Sequence, residues 1–343
     1  MERTDQLSAE PHAELHLSLL RMNLVAAGEP LAADAVPGGV SCNVWLITRR
    51  NGAKLVVKQA LAKLRVSADW RAPPARSAAE VAWLRLVAAI DPMLVPKILA
   101  DDPHRYAFAM EYLPADFYPL WKRELAAGRA EPDFAGNVGA ALARIHGATA
   151  GSEDVERRFA NQAQFYALRL EPYFLFTTRR HPDCGPQLRA LADGIFEARI
   201  ALMQGDISPK NILHGPKGPV FLDAETACFG DPAFDLAFCL NHLLLKGVWH
   251  PQYRDAYLAC YGALSAAYRA GVAWENPEAL ELRATALLPA LMLARIDGKS
   301  PVEYITSDAD KDFVRSFARQ HIAAPLSSVK EFGAVWSDAL TRR

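Results

Sequence analysis

The stretch from Leu202 to Ala237, LMQGDISPKNILHGPKGPVFLDAETACFGDPAFDLA, constrains this chain more than any other. Three polar pairs recur in it at short intervals: Asp206 with Asn211, Asp223 with Glu225, and Asp231 with Asp235. Apolar runs separate them. Asn211 to His214 and Val220 to Asp223 read as short β-type runs, and the Gly-Pro-Lys-Gly-Pro sequence over 215–219 is turn material, so the segment predicts a hairpin. Such a fold-back sets Asn211 opposite Asp223. Oxygen ligands on adjacent strand ends suit Mg²⁺, a hard cation that keeps several waters and is usually completed by substrate phosphates. Asp206 lies upstream on the loop, where a carboxylate can accept a proton from an attacking hydroxyl. Asp231-Pro232 predicts the cap of a helix running through Leu245, with Asp231 and Asp235 holding the loop from below.

Gly205-Asp206-x-x-Pro209-x-Asn211, then Leu222-Asp223-x-Glu225, then Gly230-Asp231-Pro232-x-x-Asp235-Leu236-Ala237 together resemble the aminoglycoside phosphotransferase and choline kinase superfamily, relatives of the protein kinases. The resemblance runs from about Val36 to Leu293. It implies ATP and Mg²⁺ as cofactors, Asp206 as the catalytic carboxylate, and Asn211 and Asp223 as metal ligands. Gln204 stands where that family usually carries His, at a position that supports the loop. Lys210, between Asp206 and Asn211, either neutralises charge on the transferred group or is an ordinary surface lysine.

Upstream, Val36 to Thr48 places two glycines, a serine and an asparagine between β-type runs. This predicts a phosphate-covering turn whose backbone N–H groups at Gly38, Gly39, Ser41 and Asn43 meet phosphate oxygens, or else a plain hairpin, since neither G-x-G-x-x-G nor a Walker motif is present. The following strand ends at Lys58, in an apolar run that does not tolerate an unpaired ammonium. By resemblance Lys58 holds the α- and β-phosphates. Its partner is Glu80, near the start of a helix opened by Ser77, unless Glu80 is simply a first-turn glutamate favoured by the helix dipole. Leu94 to Leu99 and Tyr106 to Leu113 predict two more strands. By the same resemblance the backbone of Glu111 and Leu113 meets the adenine edge at a hinge before Pro114.

Apolar spacing predicts a leading helix over Glu14 to Ala27, ended at Gly28, and another from Asp133 to Gly147, with His146 in a packing role. Phe159 to Phe176 interleaves aromatic residues with Arg169 and Glu171, as either core or acceptor wall. Arg295, Asp297 and Lys299 cluster about Gly298, either as a helix cap with salt links or as the acceptor site. Arg295 and Lys299 tilt the acceptor towards one bearing a carboxylate or phosphate.

A net charge of −1 over 343 residues argues against nucleic acid as a partner, and 51% hydrophobic content allows a sizeable core. The five cysteines are scattered with no C-x-x-C pair, which suits a reducing compartment. With no apolar signal core and no run of membrane length, the expectation is a cytoplasmic protein with no membrane partner. The fold class expected is α+β and two-lobed, like the protein kinases. Residues 1–113 form an antiparallel sheet with one main helix, and 114–343 a larger, mainly helical lobe. The activity expected is ATP-dependent phosphorylation of a hydroxyl on a small molecule, a metabolite or an aminoglycoside-like antibiotic. The alternative is a non-catalytic nucleotide sensor or scaffold.

Overall fold

The computed structural model of the chain describes residues 6–37, 40–65 and 70–343. Two compact units divide it, Met1–Pro114 and Ala115–Arg343. In the first, β1 (Ala32–Ala35), β2 (Cys42–Thr48), β3 (Lys54–Ala60), β4 (Ile98–Asp102) and β5 (Ala107–Glu111) form an antiparallel sheet in the order β1-β2-β3-β5-β4. Alternation along the strands sends Trp45, Ile47, Leu55, Val57 and Ala109 into one core with Leu15 and Leu19 of the leading helix.

That helix spans Gln6–Arg21 and stops well before Gly28, where apolar spacing would end it. Asn23 takes a left-handed conformation (φ 56°), and the Leu24 N–H donates to Leu19 O while the Asn23 N–H donates to Leu20 O. This is a Schellman stop with asparagine in the glycine position. Met22 and Val25 still reach the core, so the apolar pattern outlasts the helix.

On the other face of the sheet lies the helix Arg76–Ile90, which buries Val81, Trp83, Leu84 and Val87. Ser77 is not its cap. The buried Arg76 guanidinium fastens the helix start instead, donating to the carbonyls of Ala72, Pro73, Ser41 and Leu61. The strand expected from Leu94 begins only at Ile98, because Pro96 has no N–H to give a ladder.

In the second unit β6 (Ala201–Met203) pairs with β9 (Cys228–Gly230), and β7 (Ile212–Gly215) pairs with β8 (Gly218–Phe221). The hairpin turn is tighter than the Gly-Pro-rich segment suggests. Pairing continues to Gly215 and Gly218, leaving Pro216 and Lys217 at the tip. Around these ribbons the unit is helical. Pro132–Thr149 passes straight through Gly147, where the Trp274 ring packs so closely that a Cβ would meet it at 3.2 Å. Glu131, not Asp133, precedes its first turn. The helix after Asp231-Pro232 runs from Ala233 to Trp249. All five cysteines are buried and none is in a disulfide. Among the described residues no helix is long and apolar enough to cross a membrane.

Pro132–Thr149 and Arg254–Gly271 approach most closely at Gly139, where a Cβ would lie 2.2 Å from the Leu264 carbonyl oxygen. One turn earlier Gly136 has its nearest neighbour at 3.8 Å. Gly139→Ala is therefore expected to destabilise the protein by about 1–3 kcal/mol through overpacking. Gly136→Ala should be neutral or stabilising by up to about 1 kcal/mol, since alanine is the better helix former. Urea unfolding of the two variants separates close helix packing from a general intolerance of alanine.

Candidate active site

The loop between β6 and the β7–β8 hairpin is fixed before any catalytic side chain is considered. Asp235, wholly buried in the first turn of Ala233–Trp249, accepts the backbone N–H of Gln204 at 2.7 Å and of Gly205 at 2.8 Å. His146 stands behind it, Nε2 at 3.4 Å from Asp235 and Nδ1 at 2.8 Å from the Tyr268 hydroxyl. Gly205 has φ +80°, and a Cβ there would lie 2.7 Å from Thr226 Oγ1, so only glycine fits. Gln204 then ties the loop to the far strand: Nε2 donates to the carbonyls of Leu222 and Asp223, and Oε1 accepts the Asp206 N–H. Asp231 has a different duty. It caps Ala233 through its Oδ1 and binds Arg283 through both oxygens.

Asp206 is the focus of this framework. Its Oδ2 receives Asn211 Nδ2 at 2.8 Å, Lys210 Nζ at 2.9 Å and Arg169 Nη2 at 3.1 Å. Its Oδ1 is buried and has no partner among the described residues. A carboxylate with one oxygen anchored and the other kept dry is placed to accept from a hydroxyl. Desolvation works against both cations, more on buried Arg169 than on half-exposed Lys210, yet both titrate above their ordinary values because Asp206 faces them.

Asn211 sits at the end of a short 3₁₀ turn, and its N–H closes on Ser208 O. Because its amide nitrogen is spent on Asp206, the amide oxygen is the atom left for a hard cation. The Leu222 N–H donates to Asn211 O, which brings the next residue, Asp223, to the same end of the hairpin. Asp223 is held at φ 63° in the left-handed region, a conformation aspartate tolerates better than most residues and one common at functional positions. These two residues fit a divalent cation whose remaining ligands are substrate oxygens.

Arg169 is the residue that sequence reasoning passed over. It lies in the π-helix Tyr166–Leu175, where its Nε also donates to Gly205 O at 2.6 Å. The wider π turn defeats a 3.6-residue reading of the segment. Tertiary contact alone reveals the role.

In the first unit, Lys58 Nζ donates to Glu80 Oε1 at 2.8 Å, both residues buried. Lys58 is paired with Phe108 across β3 and β5, on the sheet face that carries the helix Arg76–Ile90. Ser41 presents its carbonyl to Arg76, and the Asn43 side chain is bound by Arg65. Gly38 and Gly39 lie outside the described residues. At the end of β5 the Glu111 N–H already donates to Lys97 O, and Leu113 follows in half-buried chain before Pro114.

Around Gly298 the polar side chains make salt links, one of the two readings that the sequence leaves open for this cluster. Asp297 is buried against Arg315, which binds both its oxygens at 2.7 and 2.9 Å, and against His181 at 2.8 Å. Lys299 Nζ stands 4.0 Å from Glu171. Arg295 turns the other way, with Nη1 on Tyr173 and Ser300. A cavity of about 740 Å³ is lined mainly by apolar side chains such as Leu258, Tyr261 and Leu280 and includes no residue of the loop from Gln204 to Asn211.

Residues 33–274 match the phosphotransferase enzyme family. Among solved structures, a choline/ethanolamine kinase family protein from Mesorhizobium loti is similar over 97% of this chain and 98% of its own, at 17% identity and a TM-score of 0.51. An amicoumacin kinase in complex with AMP-PNP, Ca²⁺ and Ami aligns over 94% of this chain and 97% of its own, at 13% identity and a TM-score of 0.59. A Plasmodium vivax ethanolamine kinase covers 95% and 92%, at 12% identity and a TM-score of 0.54. No match was found among curated proteins. At these identities the structural likeness establishes the kinase-like α+β fold. Because the family match runs from β1 to just past Arg254–Gly271, taking in the Lys58–Glu80 pair and the Asp206–Asn211–Asp223 loop, this chain belongs to the phosphotransferase enzyme family.

Proposed function

We propose that the protein moves the γ-phosphoryl group of Mg-ATP to a hydroxyl of a small molecule. The observation that carries this reading is the Asp206 carboxylate, anchored through Oδ2 by Arg169, Lys210 and Asn211 while the buried Oδ1 stays unpartnered. Asp206 Oδ1 orients the acceptor hydroxyl and takes its proton as the oxygen attacks phosphorus. Lys210 and Arg169 hold the anchored oxygen in place. Lys58, braced by Glu80, holds the nucleotide phosphates, while Asn211 and Asp223 hold the divalent ion. When bound, that ion offsets phosphate charge. Relatives with the same fold include a kinase in complex with AMP-PNP and Ca²⁺, which supports a nucleotide with a divalent cation here.

A binding-only role fits less well. Sensing a nucleotide needs no carboxylate oxygen held dry and free of partners, and keeping one costs stability.

Asp206→Asn should lower kcat by roughly 10²–10⁴-fold, the usual worth of a positioned base, while nucleotide affinity changes little. Steady-state turnover with ITC on the same preparation reads both; wild-type kcat in the variant would remove Asp206 from the base role. Arg169→Met should reduce kcat with little change in nucleotide KM, and Arg169→Lys should restore only part, because lysine cannot reproduce the fork to Gly205 O and Asp206. Full rescue by lysine would reduce Arg169 to a bare positive charge.

A further inference from the structure

Beside the catalytic loop is a small cleft lined by Lys122, Pro209, Lys210, His242, Lys246, Arg295, Glu303 and Tyr304. Four of these side chains are basic, with the pKa of Lys246 brought down to about 8 by burial, and one is a carboxylate. His242 and Lys246 sit one turn apart on Ala233–Trp249, so they share a face. Lys246 is 1% exposed, yet its Nζ has no hydrogen-bond acceptor among the described residues. Only the rings of Trp249 and Tyr304 attend it, at 5.1 and 4.8 Å. His242 Nε2, Arg295 Nε and the Tyr304 hydroxyl are likewise buried without partners.

A buried ammonium beside three unspent polar groups is expensive, and a leucine in its place would pack without penalty. Such an arrangement is stable in use only when an occupant supplies negative charge and acceptor oxygens. The molecule supplies a partial stand-in of its own. Glu303, its side chain 62% exposed, borders the cleft and pairs with Lys122, and although desolvation works against its charge, Lys122 and Arg295 hold its carboxyl below the ordinary range. The positive surroundings are felt elsewhere too: burial first, then Arg295, Lys246, Lys210 and Lys122, drive the His242 imidazole well below its usual pKa. The free volume is only about 20 Å³, room for a single water, so a larger occupant has to displace Glu303.

We propose that this cleft is the acceptor's anion subsite. It takes the carboxylate or phosphate group of a hydroxyl-bearing small molecule, held by Lys246, Arg295, His242 and Tyr304, with Lys210 linking the cleft to Asp206. The assignment rests on the phosphotransfer reading and narrows its acceptor class away from cationic amino alcohols and aminoglycosides.

The test uses inorganic phosphate and malonate as probes, with thermal unfolding and ITC on the full chain. Wild type is stabilised by at least one of the two at millimolar concentration. Lys246→Met unfolds at a higher temperature than wild type without anion, because an unpaired buried charge has gone, and binds the anion about tenfold or more weakly. Glu303→Gln, which removes the internal competitor, binds it more tightly than wild type. Lys217→Met, an exposed lysine at the hairpin tip, behaves as wild type. No stabilisation by either anion, or equal anion affinity in wild type and Lys246→Met, overturns the proposal. Mg-ATP is titrated in parallel: retention of its effect in Lys246→Met when the anion effect is lost keeps the two sites separate, and loss of the Mg-ATP effect from wild type itself counts against the phosphotransfer reading and not against the anion subsite.

Discussion

The site depends on one buried charge. Asp235 gives both carboxylate oxygens to the consecutive N–H groups of Gln204 and Gly205, and its place in the first turn of a seventeen-residue helix lets the helix dipole help hold that charge. Hydrogen bonds to a charged acceptor are among the stronger ones in a protein, contributing roughly 1.5–3 kcal/mol each. Two of them on adjacent residues remove most of the freedom of the backbone immediately before Asp206. Gln204 then carries the order across to Leu222 and Asp223 through two further bonds, while its Oε1 accepts the Asp206 N–H. Asp206 and Asp223 are thus set by the single side chain of Gln204 and the single carboxylate beneath it.

Much of this could be read from residue order. Asp206, Asn211, Asp223 and Asp235 were legible because short-range spacing and turn chemistry determine where each lies relative to the next. Lys58 was legible because an ammonium in an apolar strand demands a partner. Arg169 was not, since a π-helix breaks the helical period and its contact with Asp206 spans thirty-seven positions of chain. Lys246 escaped for a related reason. It lies at the end of an apolar helix, where a lysine ordinarily reaches solvent, and only the packing of Pro277–Asp297 and the Tyr304 loop against that helix buries it. Helix ends were read least well. Asn23 and Arg76 stop and start their helices through backbone and guanidinium bonds that apolar spacing does not encode.

Among the buried unsatisfied polar groups of the second unit, two sets lie at the candidate site. Asp206 Oδ1 lacks a donor, and Lys246 Nζ with its neighbours lacks an acceptor. Lys210 lies between the two, 2.9 Å from Asp206 and on the wall of the cationic cleft. A molecule that carries a hydroxyl at one end and an anionic group at the other answers both deficits at once. Folding alone gains nothing from either, which is the pattern expected where stability is traded for function.

Asn211 and Asp223, at the open end of the hairpin, are proposed to form a divalent-cation site for a nucleotide. Thermal unfolding with ATP, with and without Mg²⁺, on wild type and Asp223→Asn tests it most directly. At about a hundred times its dissociation constant a ligand stabilises the folded state by roughly 2.7 kcal/mol. Wild type is expected to gain such stabilisation from ATP only when Mg²⁺ is present, and Asp223→Asn to lose it. Equal stabilisation of both proteins, or none of wild type with or without the metal, would contradict it.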